Sequence, residues 1–293
     1  MGDPRRHLIL VNPAARGGRA GGLLPRLEAA LHDRGLAYRI VVTTSVEHGR
    51  EEARRAAASG EIPVVMSGDG MIGQVGGALA GREATMGVIP SGRGNDFARV
   101  LGIPTEIPDA VALLARGTSR TVDVGEVNGA RFLGIASCGY DSECNRIANE
   151  TRLVRGNLVY LYAALRALAA WRPARFTLML DGERHEFVGY TAAAANSRAY
   201  GGGMFLAPDA ELDDGRLDVV CIGQVGKLRF LANLPKVFRG RHTENEEVTV
   251  LRAREVEISA DRDFAVYADG DSLADLPARI RLLPRALTVI APP

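Results

Sequence analysis

Lysine is almost missing from this chain: of its 36 basic residues only Lys227 and Lys236 are lysines, and the first 226 residues hold none. That scarcity excludes two common ways of holding a nucleotide. A P-loop needs Gly-x-x-x-x-Gly-Lys-Ser/Thr, and a protein kinase needs a strand lysine bridging the α- and β-phosphates. Cysteine is scarce too. Cys138, Cys144 and Cys221 are odd in number and show no Cys-x-x-Cys spacing, so reduced thiols are expected and a disulfide framework is not. His7, His32, His48, His185 and His242 form no His-Glu-x-x-His or Cys/His pairing, which argues against zinc. Ser137 and Ser197 lack the Gly-x-Ser-x-Gly elbow of a serine hydrolase.

Long apolar runs are also lacking. The longest, LVYLYAALRALAAW, is interrupted by Arg166, and the opening MGDPRRHLILVNP has no signal-type apolar region, so a cytoplasmic chain without a spanning helix is expected. A net charge of +1, from 36 basic against 35 acidic residues, supplies no field for general nucleic-acid binding. Any membrane contact must be local.

What is present is ample apolar material, 46% of 293 residues, arranged in two textures. Up to about residue 120, the short apolar runs HLILV, YRIVVTT, IPVVM and TMGVI alternate with helical patterns such as Leu23, Leu24, Leu27 and Leu31, and Glu51 to Ala58. This predicts a three-layer α/β domain over 1–120. After Thr121 the runs TVDVGEV, ARFLGIAS, ARFTLML, HEFVGYTAAAAN, RLDVVCIG, VEISA, AVYAD, RIRLLP and ALTVIA predict a mainly antiparallel β domain over 121–293. Asn128-Gly129 and Asp181-Gly182 are hairpin signals within it. Helices are expected near Leu158 to Trp171 and Lys227 to Arg239.

The chemistry concentrates in two glycine-acid loops, Ser67-Gly68-Asp69-Gly70 after the third strand and Pro90-Ser91-Gly92-Arg93-Gly94-Asn95-Asp96 after the fourth. Glycines let backbone N–H groups close on phosphate oxygens, and aspartates can hold Mg²⁺. In a parallel sheet both loops open on one edge, so they can share a ligand. Gly68 to Gly73 also fits Gly-x-Gly-x-x-Gly, with Asp96 further on as a ribose acceptor, but that fingerprint normally opens the first strand-helix unit, and a carboxylate in the turn would repel a pyrophosphate unless a cation intervened. Val11-Asn12-Pro13-Ala14-Ala15-Arg16-Gly17-Gly18 leads from the first strand into a helix whose N–H groups can face an anion; a plain turn explains it equally. Ala207 to Leu217 carries Asp209, Glu211, Asp213 and Asp214, either hard ligands for a cation or a solvated hairpin turn. Tyr267-Ala268-Asp269-Gly270-Asp271-Ser272-Leu273 puts two carboxylates in what alone reads as a hairpin turn.

In this order, LVNPAARGG, VVMSGDGMIGQV, GVIPSGRGNDFAR, VNGARFLGIASCGYDSE, APDAELDDGRLDVV and YADGDSL resemble the diacylglycerol kinase catalytic-domain family, in particular its soluble bacterial lipid kinases related to sphingosine kinases. The resemblance implies an N-terminal α/β nucleotide domain like that of NAD kinases, a C-terminal β-sandwich and an active site between them. The final strand is left free to return to the first domain. It further implies ATP and Mg²⁺ as cofactors and a lipid substrate met at a membrane surface; whether the chain forms a homodimer is left open. By the same resemblance, Asn12, Pro13, Ala14, Ala15, Arg16, Thr43, Gly68, Asp69, Gly70, Met71, Ile72, Gly73, Gln74, Arg93, Gly94, Asn95 and Asp96 line the ATP site. Asp69 acts on the phosphates and Mg²⁺, Asp271 takes the place of the family's proton acceptor as Asp where Glu is common, and Asp214 with Glu211 and Arg216 matches a structural magnesium site.

The chain departs from the family pattern where Gly-Gly-Asp-Gly-Thr-x-Asn-Glu becomes Ser67-Gly68-Asp69-Gly70-Met71-Ile72-Gly73-Gln74, and where Arg93 replaces a threonine. A charge-assisted bond from Arg93 to phosphate would offset the lost hydroxyl. Two alternatives remain: a kinase of a soluble hydroxylated metabolite, NAD kinase-like, and a catalytically weak nucleotide- or lipid-binding protein.

Overall fold

The computed structural model describes residues 6–13, 15, 20–151 and 158–293. Strands β1 (His7–Val11), β2 (Tyr38–Val42), β3 (Ile62–Ser67) and β4 (Thr85–Pro90) run parallel in the spatial order β2-β1-β3-β4. β1, β3 and β4 are continuous apolar runs because both faces are covered by helices. α1 (Leu24–Asp33) buries Leu27, Ala30 and Leu31, and α2 (Val46–Ala58), capped by the Ser45 hydroxyl accepting from the His48 N–H at 3.0 Å, buries Gly49, Ala53 and Ala56. α3 (Asp69–Leu79), α4 (Asp96–Val100) and α5 (Ile107–Arg116) complete the covering.

Beyond α5 the sheet turns antiparallel with β5 (Ser119–Val127), β6 (Ala130–Phe132) and β7 (Ile135–Gly139). Two helices, α6 (Tyr140–Glu150) and α7 (Leu158–Ala170), precede β8 (Ala174–Leu180), β9 (Glu183–Ala195) and β10 (Leu217–Gly223). Then come α8 (Lys227–Val237), β11 (Val248–Ala253), β12 (Glu255–Ala260), β13 (Ala265–Ala268), β14 (Asp271–Asp275) and β15 (Ala278–Ile290). A second apolar core, separate from the one around β1, β3 and β4, gathers Phe132, Phe176, Val219, Val256 and Ile280. β15 joins the two: it pairs antiparallel with β5 and β12, and its Thr288 and Val289 run parallel beside Thr85 and Met86 of β4.

Several elements differ from their sequence reading. ARFLGIAS reads as one strand but is broken at Leu133-Gly134, whose N–H groups leave the ladder to donate to the Asp269 carboxylate. RIRLLP and ALTVIA read as two strands but form one, with a bulge between Leu283 and Leu287. Pro284 has no N–H there, and the Arg285 N–H donates instead to Oδ1 of buried Asp123 at 2.6 Å. β11, β14 and α6 are absent from that reading; β14, DSLAD, lacks the apolar alternation that would mark a strand. Asn128-Gly129 and Asp181-Gly182 adopt positive φ at both residues, as two-residue hairpin turns require.

Candidate active site

The two glycine loops meet in backbone contact. A Cβ on Gly92 would lie 2.4 Å from the Gly68 Cα, closer than any side chain permits, so the loops touch only because both residues are glycine. The second loop is held by Asn95, which takes a left-handed conformation (φ 52°) and accepts from the Gly92 N–H through Oδ1 at 2.7 Å. Asp69 opens α3, and its Oδ1 accepts from the Phe97 N–H at 3.2 Å. Asp96 opens α4, and its Oδ2 accepts from the Gly202 N–H at 2.8 Å. Both carboxylates converge on Gly94: a Cβ there would begin 2.8 Å from Asp96 Oδ2 and 3.0 Å from Asp69 Oδ2.

Burial pushes the Asp69 carboxyl above its ordinary range and the Asp96 charge adds to this, while N–H donors from Phe97, Asp96 and Asn95 oppose it. Asp96 Oδ1 is buried without a hydrogen-bond partner. Two crowded carboxylates with an unanswered oxygen are hard donors of the kind Mg²⁺ takes, so this pair fits a divalent cation. A cavity of about 240 Å³ opens beside them, lined by Asn12, Ala15, Ser67, Gly68, Asp69, Gly70, Met71 and Gly92. Asn12 Nδ2 donates to Ser67 Oγ at 3.3 Å across its wall. Pro13 follows Asn12 in the turn after β1.

The third acidic turn also arrives here. Asp271, exposed at the start of β14, accepts from Gln74 Nε2 of α3 at 3.1 Å through Oδ2. Asp269, two residues earlier and half-buried, accepts from the N–H groups of Leu133 at 2.7 Å and Gly134 at 2.9 Å. A Cβ on Gly73 would lie 2.4 Å from Asp269 Oδ2, so the glycine that replaces the family's asparagine makes room for this carboxylate. Desolvation drives the Asp269 carboxyl up to about 7, its two N–H donors opposing and the Asp69 and Asp271 charges assisting.

Of the other described residues singled out by the sequence, Gly70 and Met71 border the cavity and the rest do not line it. Met71 and Ile72 are buried in the first core, and the Met71 methyl lies against Gly49 of α2. Thr43 spends its hydroxyl on the Val11 carbonyl at 3.3 Å. Gly70 backs onto the Asp269 carbonyl, and Arg93 is exposed. Ala14 and Arg16 lie outside the described residues. Glu211 and Arg216 are exposed, while Asp214 accepts from the Arg216 N–H at 2.9 Å and pairs with Arg252. Among the described residues no cluster of three or more His, Cys, Asp or Glu side chains is arranged for a metal. Asp269 and Gly202 were not singled out as site residues. The Asp-Gly-Asp spacing of 269–271 was a signal for the first; nothing local marks Gly202, which the fold brings to Asp96 from 106 positions away.

Convergent glycine loops at the carboxyl edge of a parallel sheet, with acids from a second lobe, define a phosphate-handling enzyme. The family comparisons specify it further. Residues 6–127 match the model described as the diacylglycerol kinase catalytic domain, and 134–291 match the YegS C-terminal NAD kinase beta sandwich-like domain. The chain belongs to the diacylglycerol kinase catalytic-domain family and is a phosphotransferase. It is 36% identical over 304 aligned positions to a diacylglycerol kinase of Mycobacterium tuberculosis, covering 99% of this chain and 98% of that one. It is 30% identical over 251 positions to a diacylglycerol kinase of Bacillus subtilis, covering 84% and 82%. A crystal structure of a diacylglycerol kinase from Bacillus anthracis shares the fold, with a TM-score of 0.79 at 24% identity over 99% of this chain and 98% of that one. No helix among the described residues is long and apolar enough to cross a membrane.

Proposed function

We propose that the chain is an ATP-dependent lipid kinase that phosphorylates a hydroxyl of a diacylglycerol-like or sphingoid-like lipid at a membrane surface. The observation that carries this reading is the contact of Asp271 with Gln74, which sets a candidate proton acceptor from the second lobe beside the helix that Asp69 opens. Phosphoryl transfer asks a protein mainly for position and charge stabilisation. The N–H groups of the Gly68–Gly70 loop, of Arg93 and Gly94, and of the start of α3 suit the phosphates, the Gly92 N–H being spent on Asn95. Asp69 and Asp96 would hold Mg²⁺, which when bound neutralises phosphate charge, and the exposed Asp271 carboxylate would accept the proton of the lipid hydroxyl. The NAD kinase-like and weak-binding readings stay as outcomes of the test. Met71 borders the cavity and packs into the core with its methyl against Gly49, so packing takes the place of the hydroxyl the family has there. Around Asp214 a structural magnesium ion would share that carboxylate with Arg252.

The test is transfer of labelled phosphate from ATP to mixed lipid vesicles. Asp271→Asn is expected to lower turnover about 10²- to 10⁴-fold with both substrates saturating. Undiminished turnover in that variant removes Asp271 from the chemistry. Transfer to a water-soluble acceptor only, or tight nucleotide binding without ADP release, supports the other two readings.

A further inference from the structure

Both lysines of the chain lie on α8, and the stretch 227–243 carries Lys227, Arg229, Lys236, Arg239 and Arg241 with no Asp or Glu. The same helix has two unlike faces. Inward, Phe230 is buried and stacks on Tyr190 with ring centroids 4.2 Å apart. Asn233 is also tied down, its Nδ2 donating to Glu247 at 2.9 Å. Outward, Leu228 is 85% exposed, Leu231 38% and Phe238, at the helix C-cap, 53%. With exposed Pro235 these follow the i, i+3, i+7, i+10 spacing of a single helix stripe. Such a stripe on a segment that carries cations and no acid of its own, with Glu244, Glu246 and Glu247 following it, is the composition of a helix that lies in a membrane interface.

We infer that the outer face of α8 docks on an anionic lipid bilayer, with Leu228, Leu231 and Phe238 entering the interfacial layer and the surrounding cations meeting lipid phosphates. Charge complementarity chooses this occupant. Of the five cations, Arg229 is paired with Glu247 and Arg241 with Glu244, whereas Lys236 bonds neutral Asn245, Lys227 a backbone carbonyl, that of Ala169, and Arg239 is exposed. The surface is also continuous with the active site. The Val237 carbonyl accepts from the Phe205 N–H at 3.0 Å, and the preceding turn, closed by mutual N–H donations between Tyr200 and Met204, brings the Gly202 N–H to Asp96. A bilayer held by α8 therefore sits at one end of the segment whose other end rests on the nucleotide loop. The proposal rests on the lipid-kinase reading for its purpose, but binding is measured without turnover.

The experiment is co-sedimentation, without nucleotide, with phosphatidylcholine vesicles that contain or lack phosphatidylglycerol. The protein is expected to pellet with the anionic vesicles only. Leu228→Glu/Leu231→Glu should weaken that binding about tenfold or more, since each swap removes apolar insertion and adds repulsion. Lys236→Gln and Arg239→Gln should weaken it about fivefold each, in a salt-dependent manner. Unchanged thermal midpoints and unchanged turnover on a dispersed short-chain diacylglycerol show that the variants fold; Phe238→Ser serves if the double variant does not. Asp271→Asn should pellet like the parent, which keeps a failure of the kinase reading apart from a failure of docking. Vesicle binding by the Leu228/Leu231 variant equal to the parent's, or none by the parent, overturns the proposal. So does loss of self-association in that variant with vesicle binding intact, which would assign the face to a second copy.

Discussion

Replacing Gln74 by glutamate, the residue common in the family at this position, tests the pairing of the two lobes at the proposed reaction centre. Gln74 Nε2 now donates to Asp271 Oδ2 at 3.1 Å, and the substitution exchanges that donor for a second carboxylate in nearly the same place. Two unit charges about 4 Å apart repel by about 1 kcal/mol in water and about 4 kcal/mol at an effective dielectric constant near 20. Asp271 is exposed and the pair is open to solvent, so the lower figure governs, reduced further by salt. At about 1.4 kcal/mol per pKa unit, the acid limb of kcat/KM against pH should move up by about half a unit, with about 0.7 unit as the ceiling, at low ionic strength. The plateau above that limb should hold within about threefold, because the acceptor itself is kept. The assay is lipid phosphorylation over pH 5 to about 9 at two salt concentrations, with Gln74→Met as the uncharged control. A Gln74→Glu profile that superimposes on the parent at low salt, while Asp271→Asn is inactive, would refute the placement of residue 74 against the proposed proton acceptor.

Two further outcomes follow from the same packing. Gly92→Ala puts a methyl group 2.4 Å from the Gly68 Cα; the forced separation should cost about 1 to 3 kcal/mol, read by denaturant titration, and abolish nucleotide binding read by calorimetry, while Gly22→Ala, with nothing within 4 Å, changes neither. Asp269, held near 7 against about 3.9 in an unfolded chain, binds its proton more tightly when folded, so its contribution to stability is complete below about pH 4 and declines as pH rises to about 7. Asp141, pushed up to about 6 by burial, acts with the same sign over a narrower window. Denaturant midpoints from pH 4.5 to about 8 should therefore fall more steeply in the parent than in Asp269→Asn, and equal slopes would contradict this.

Much of this arrangement was legible in the chain. The apolar runs of β1, β3 and β4 and the glycine-acid turns after them are local signals, and a parallel sheet sends such turns to one edge. What stayed hidden depends on distant partners. The break after β6 exists because Asp269, 135 positions later, takes two N–H groups from the ladder. The single strand β15 survives Pro284 because Asp123 receives the next N–H. Met71, Gly73 and Gln74 read as losses from a ligand-binding turn; they face, in order, the core, the Asp269 carboxylate and an acid from the other lobe.

β15 has a consequence for how the molecule is made. Residues 85–86 have Thr288 and Val289 as their outer neighbours, so the N-terminal half keeps a bare sheet margin until nearly the whole second half has been synthesised. A fragment ending near residue 127 would carry both glycine loops yet lack its closing strand, exposing edge hydrogen bonds that invite association with other chains. The two lobes are thus sewn by one thread, and neither half is a finished fold without the other.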